Sequence, residues 1–349
     1  MSKILFECDY NEGCHPRILT RLCETNMEQT VGYSEDQYCA AARETVKRFV
    51  GRDDVAVHFL VGGTQTNTTV IASTLRPYER VLSASTGHIN AHETGAIEAT
   101  GHKVLALPSS DGKITAEQVR EAVRLHATDF AHEHIVKPGM VYISYPTENG
   151  TLYTLSELRA MSEACHDCNI PLFLDGARLG YGLTAPGNDV TVADIAKLCD
   201  VFYIGGTKVG ALFGEAVVIS NEAIKRDFRY MIKQHGGMLA KGRLLGLQFD
   251  ELLKDGLYLQ LGEHANKLAQ RVHAAFAAKG YPFRYDSPTN QQFPILPDAH
   301  IAILGEKYSY DYWGRVDDTH SAVRFCTSWA TKEEAVDQLC KDIAALPNA

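Results

Sequence analysis

The feature that most constrains this chain lies between about residues 57 and 220, where short apolar β-rich runs alternate with helical stretches. The runs are VHFLV (57–61), RVLSA (80–84), KVLAL (103–107), MVYIS (140–144), PLFLD (171–175), DVFYIG (200–205) and EAVVIS (215–220). Most are almost continuously apolar, as strands covered on both faces are. Between them, SELRAMSEACHDC (156–168) sets Leu158, Met161 and Cys165 on one stripe. ITAEQVREAVRLH (114–126) groups Val119, Val123 and Leu125 in the same way. Strands alternating with helices predict a largely parallel α/β sheet.

After Gly242 the texture changes. Residues 244–279 predict long helices. Beyond them, HIAIL (300–304) and AVRFCT (322–327) predict strands, and KEEAVDQLCKDIAAL (332–346) a last amphipathic helix. The expected organisation is an N-terminal arm (1–14), a large domain (15–243) and a smaller α+β domain (244–349). The arm is expected to reach the small domain or a neighbouring subunit.

Composition excludes several classes. A net charge of −9 without a basic run argues against a broad nucleic-acid-binding surface. No apolar run reaches the ~18–20 residues of a membrane-spanning helix. The opening MSKILFECDY lacks the apolar core of a signal peptide, so a cytoplasmic protein is expected. Nine cysteines without framework spacing predict reduced thiols. Cys165 and Cys168 form one Cys-x-x-Cys on a helix; without a second pair, they are expected to be ordinary thiols rather than a metal site.

Four segments carry chemistry. In FLDGARLGYG (173–182), Asp175 ends a strand, and ligands of open α/β sheets sit beyond such ends. A helix-capping role is the plainer explanation of that residue alone. In VFYIGGTKVGALFGEAVVI (201–219), Lys208 lies among glycines and apolar residues. Burial there lowers a lysine's pKa and frees its amine as a nucleophile, although most loop lysines simply face water. In HFLVGGTQTNTTVIAS (58–73), Gly62, Gly63 and Thr64 sit where a strand runs into a helix, so backbone N–H groups can approach a phosphate. Neither the Walker pattern nor the dinucleotide fingerprint is present, and a tight turn would read the same way. In STGHINAHETGAIEATGHKV (85–104), His88 and His92 stand one helical turn apart, followed by Glu93. They suit a metal-binding face, a histidine stacked on a cofactor ring, or a plain helix surface.

The joint order of phosphate turn, histidine, strand-end aspartate and glycine-flanked lysine resembles the fold-type I pyridoxal phosphate enzymes. Within them it is similar to the β-eliminating lyase and threonine aldolase family, over nearly the whole chain. Its strongest pieces are Asp175-Gly-Ala-Arg178 and the Lys208 segment. The resemblance implies that Lys208 joins the cofactor, Asp175 pairs with its pyridine nitrogen and His88 stacks on its ring. It implies that Gly63 and Thr64, with Gly62 close by, hold the phosphate. Arg178 and Arg324 would hold the substrate carboxylate, and Tyr33 would lie near the substrate. The general base would be His88, His92 or Glu93. The implied reaction is cleavage of a β-hydroxy-α-amino acid to glycine and an aldehyde, in a homodimer or homotetramer. No metal is implied.

Three departures from the family pattern fall near the implied substrate and phosphate sites. Cys8-Asp9 replaces Ser-Asp, Thr327-Ser328-Trp329 replaces Thr-His, and HGGMLAKGR (235–243) lacks the arginine expected after Gly-Gly-Met. Lys241, or else Arg243, would take over that phosphate contact. The competing expectations are β-elimination or transamination on the same scaffold, a metal hydrolase built on His88 and His92, and a binding protein that has lost catalysis.

Overall fold

The computed structural model describes residues 3–347. The apolar runs form seven strands: β1 (Ala56–Leu60), β2 (Glu79–Ala84), β3 (Lys103–Leu107), β4 (Lys137–Ser144), β5 (Leu172–Asp175), β6 (Val201–Gly205) and β7 (Glu215–Ile219). They make one sheet in the order β1-β7-β6-β5-β4-β2-β3. The pairs among β2 to β6 are parallel, and β7 runs antiparallel to both β1 and β6. Strands β5, β6 and β7 are buried along their whole length, which accounts for their unbroken apolar sequences.

Helices cover both faces, and their ends are written in the sequence. Thr115 with Gln118, and Thr154 with Glu157, close capping boxes on helices Ala116–Thr128 and Leu155–Asp167. Asp36 caps Gln37–Val50, which ends at Gly51 with φ of 71°. Cys165 packs into the core from Leu155–Asp167, and all nine cysteines are free thiols.

Helix Leu257–Ala278 belongs to two cores. Leu257, Tyr258, Leu261 and Ala265 pack into the large core, whereas Leu268, Val272 and Phe276 pack into the small one. Helix Arg243–Leu252 contributes Leu245, Phe249 and Leu252 to the large core. The large packing unit therefore runs past residue 243 and hands over to the small one within the long helix.

The small domain holds β8 (Gln291–Gln292), β9 (Ile295–Pro297), β10 (Asp311–Arg315) and β11 (His320–Cys326), with β11 pairing antiparallel to the other three. HIAIL (300–304) corrects one expectation, because it lies in helix Asp298–Gly305 rather than a strand. Its buried residues, His300 and Leu304, are one helical turn apart, and Ile303 is exposed. The N-terminal segment reaches the small domain of its own chain. Ile4–Leu5 pairs parallel with Tyr308–Ser309, and Phe6 enters the small core.

Candidate active site

A cavity of about 330 Å³ opens at the carboxyl ends of the parallel strands. Gly62, Gly63 and Thr64 line it from the end of β1, His88 from beyond β2 and Asp175 from β5. Arg178 and Lys208 line it from the turns that follow β5 and β6. The four separate sequence segments therefore converge on one space.

Asp175 is 4% exposed, and three donors converge on it. The Ala177 N–H donates to Oδ1 at 2.9 Å; Asn67 Nδ2 (3.2 Å) and the Tyr142 hydroxyl donate to Oδ2. This fixes the carboxyl group at the cavity wall. A glycine is obligatory at the next position, because a Cβ on Gly176 would lie 1.9 Å from the Tyr203 carbonyl oxygen.

His88 is placed twice. Its backbone N–H donates to Glu148 Oε1 at 2.9 Å, and Ser144 Oγ donates to the same oxygen at 2.6 Å. Its ring Nδ1 meets Glu93 Oε1 at 2.7 Å, and Asn67 Nδ2 donates to that same Glu93 oxygen at 2.7 Å. When Nδ1 donates to Glu93, Nε2 is left as the ring's acceptor. The Glu93 side chain is fully buried behind His88 and does not line the cavity. His92 does not line it either. Among the described residues, no three His, Cys, Asp or Glu side chains gather to hold a metal ion.

Lys208 projects from a turn that is held on several sides. Tyr258 Oη accepts from the Gly180 N–H and donates to the Gly205 carbonyl, both at 3.0 Å. The Tyr181 hydroxyl donates to the Lys208 carbonyl. Burial pushes the Lys208 amine below its ordinary range and Arg178 adds to this, while Asp9, Asp175 and Glu215 oppose it. The result favours the neutral amine that attacks a carbonyl.

No side chain caps helix Gly63–Thr74, so its first-turn N–H groups are left for an anion. A Cβ on Gly63 would stand 3.2 Å from the Tyr203 hydroxyl, which is buried and has no hydrogen-bond partner. A helix N-terminus, a spare buried hydroxyl, a fixed carboxyl group and a lysine of lowered pKa match the phosphate, ring and aldehyde of pyridoxal phosphate.

Besides Glu93 and His92, the expected residues Arg324, Tyr33, Lys241 and Arg243 lie outside this lining. Arg324, on β11, binds Gln291 Oε1 (2.9 Å), the Glu7 carbonyl (3.0 Å) and Asp311 Oδ2 (2.9 Å), and its Nε is buried without a partner. Its charge acts on Tyr10, which does line the cavity: burial pushes that phenol up, and Arg178 and Arg324 oppose the shift. Tyr33 and Lys241 sit together elsewhere on the surface, with the Tyr33 N–H donating to the Ala240 carbonyl at 3.2 Å. Arg243 is committed to the carbonyls of Thr25 (2.8 Å) and Asn26 (3.3 Å).

Sequence patterns did not point to Tyr203, Glu148 or Glu215, all of which line the cavity. The available signal was position, since Glu215 is a lone acid opening the apolar run of β7.

Residues 13–296 match the family model described as beta-eliminating lyase. The chain belongs to the β-eliminating lyase family. Among relatives of this lyase is a low specificity L-threonine aldolase of Pseudomonas sp., 31% identical and covering 99% of this chain and 98% of that one. Another, from Pseudomonas aeruginosa, is 29% identical over the same shares. A solved threonine aldolase from Leishmania major is 44% identical, with a TM-score of 0.95, and the match covers 98% of the lyase and 99% of that chain. A Thermus thermophilus aspartate aminotransferase, 14% identical with a TM-score of 0.72 over 98% and 91% of the two chains, shares the fold of the lyase. The architecture is thus that of a fold-type I pyridoxal phosphate enzyme.

Proposed function

We propose that this lyase cleaves the Cα–Cβ bond of a β-hydroxy-α-amino acid such as threonine, releasing glycine and an aldehyde. The observation that carries this reading is the meeting of Lys208, Asp175, His88 and the Gly62–Thr64 turn in one cavity. The relatives named as threonine aldolases support cleavage over elimination.

Pyridoxal phosphate, when bound, supplies the sink for the electron pair released from Cα. Gly63 and Thr64 would hold its phosphate through the uncapped helix N-terminus, Asp175 would face its pyridine nitrogen, and Lys208 would join its aldehyde. Arg178 would orient the substrate carboxylate, which sets the scissile bond relative to the ring. Arg324, held by Gln291, Glu7 and Asp311 outside the lining, would approach the same space from the small domain.

Cleavage removes the proton of the β-hydroxyl and later places one on Cα. His88 is the base for the first step, because it lines the cavity and Glu93 fixes its Nδ1. Glu93 acts through His88 and has no access of its own.

Tyr33 and Lys241 would serve a neighbouring subunit of a homodimer or homotetramer. The backbone bond that sets Tyr33 beside Ala240, next to Lys241 in the chain, supports this, as does the left-handed backbone of Tyr33 and Ser34 (φ 58° and 64°), strain of a kind that concentrates at functional sites. Because Arg243 is bound within its own chain, Lys241 is the better candidate for the phosphate. No helix among the described residues is long and apolar enough to cross a membrane, and the enzyme is proposed to be cytoplasmic.

The test is to incubate purified enzyme, loaded with pyridoxal phosphate, with L-threonine. Glycine and acetaldehyde in equal amounts are expected. 2-Oxobutyrate with ammonia would replace this reading with elimination.

A further inference from the structure

Glu215 has no part in the cleavage described above, yet it is 3% exposed and lines the cavity. It opens β7 directly opposite Gly205, where β6 ends. Its two carboxyl oxygens take different partners. Oε2 accepts from the Gly206 N–H at 3.2 Å, and Oε1 from the Thr207 hydroxyl at 2.9 Å. Those two residues immediately precede Lys208.

The Thr207 hydroxyl oxygen also accepts from the Gly214 N–H at 2.9 Å and lies 3.4 Å from the Gly214 carbonyl oxygen. That carbonyl accepts in turn from the N–H groups of Gly206 and Thr207, both at 3.0 Å. The two edges of the Lys208 turn are therefore laced together, with Glu215 as the side-chain knot.

We propose that Glu215 is a positioning residue for Lys208, and that the Thr207 hydroxyl keeps this clamp closed whether or not Glu215 carries a proton. As a carboxylate, Glu215 accepts from Thr207. Protonated on Oε1, it donates to Thr207 Oγ1, and the Thr207 hydroxyl turns to the Gly214 carbonyl. The Gly206 contact is the same in both forms. This matters because burial pushes the Glu215 carboxyl up to about 8, against the Thr207 hydrogen bond and the Lys208 charge and with the help of Asp175. Lys208 faces it from the β6 turn and Asp175 from β5, while the phenols of Tyr203 on β6 and Tyr258 on the long helix complete its surroundings. A clamp that needed one proton state would open and close across neutral pH.

The inference rests on Lys208 being the residue that joins the cofactor, and the experiment separates the two claims. Wild-type holoenzyme, Glu215→Gln, Glu215→Ala and Thr207→Val are treated with borohydride across pH 6–9, and the trapped residue and its rate of trapping are read by mass spectrometry. Glu215→Gln can offer its oxygen to Gly206 and its amide N–H to Thr207, so it should behave like the wild type. Glu215→Ala should slow trapping and lower kcat by about 10–100-fold with KM little changed. Thr207→Val should give a pH-dependent trapping rate over the range where the wild type is flat. Should Glu215→Ala fail to fold, Thr207→Val carries the comparison with the carboxyl group left in place. Wild-type trapping rates and pH profiles in both Glu215→Ala and Thr207→Val would overturn the clamp. A wild-type adduct on a residue other than Lys208 would overturn the reading of the site, and the clamp with it.

Discussion

Arg178 and Asp9 form a buried two-point ion pair, with Nε donating to Oδ2 at 2.7 Å and Nη2 to Oδ1 at 3.0 Å. Asn290 Nδ2 donates to the same Asp9 oxygen as Arg178 Nε, at 3.0 Å. The aspartate of the Cys8-Asp9 pair thus sets the guanidinium that would meet the substrate. Burial pushes the Asp9 carboxyl up, but the charges of Arg178 and Lys208, together with the hydrogen bonds from Arg178 and Asn290, outweigh it and hold it below the usual range. A depressed carboxylate stabilises the fold above its unfolded pKa and loses that contribution as pH falls through the folded one.

Removing one partner leaves the other charged and unpaired. Asp9→Asn is expected to cost about 3–5 kcal/mol in urea unfolding at pH 7. Its KM for threonine should rise more than its kcat falls, because Arg178 loses its orientation. Wild-type stability and KM together would mean that the pair does not set Arg178.

Lys208→Ala should lose the near-ultraviolet to visible band of the internally joined cofactor and about a thousandfold or more in kcat. Cofactor affinity should fall less than activity, since the Gly62–Thr64 turn and Asp175 remain. Spectroscopy of the variant titrated with pyridoxal phosphate reads both.

His88 and Glu93 should act as a unit. His88→Asn and Glu93→Gln are each expected to lower kcat by about 10²-fold, and the double variant little further. Multiplicative losses in the double variant would show that Glu93 has a role apart from His88.

His58, on β1, gives a pH prediction independent of catalysis. Its ring lies 5.1 Å from that of Phe228, and burial lowers its pKa to about 4, with the charges of Arg43 and Arg229 adding to the effect. The unfolded chain then binds a proton that the fold refuses between about 6.5 and 4, so stability falls as pH drops through that window. His58→Leu should lose about 1–3 kcal/mol less than the wild type between pH 7 and pH 4.5. Parallel denaturation curves for the two proteins would refute this.

The large sheet was legible because its strands are covered on both faces, which leaves apolar runs, and because those runs alternate with helical stretches in the order of an α/β sheet. HIAIL was misjudged because a short apolar run carries no period of its own; only the spacing of His300 and Leu304 marked it as helical. The chemistry was legible where a motif is local, as at Asp175-Gly-Ala-Arg178 and in the Lys208 turn. It was hidden where folding supplies the neighbour. Nothing near Asp9 in sequence announces Arg178, and Glu215 gains its meaning only by lying beside Gly205 in the sheet. Arg324 was expected against the substrate, and its present partners are Gln291, Glu7 and Asp311.

Two separate crossings join the small domain to the large one. One is helix Leu257–Ala278, rooted in both cores; the other is the N-terminal segment, with Phe6 in the small core and Asp9 on Arg178. Both ties limit how far Arg324 can move relative to the cavity. Shortening the chain through Phe6 should therefore loosen one of them while leaving Lys208, Asp175 and His88 in place.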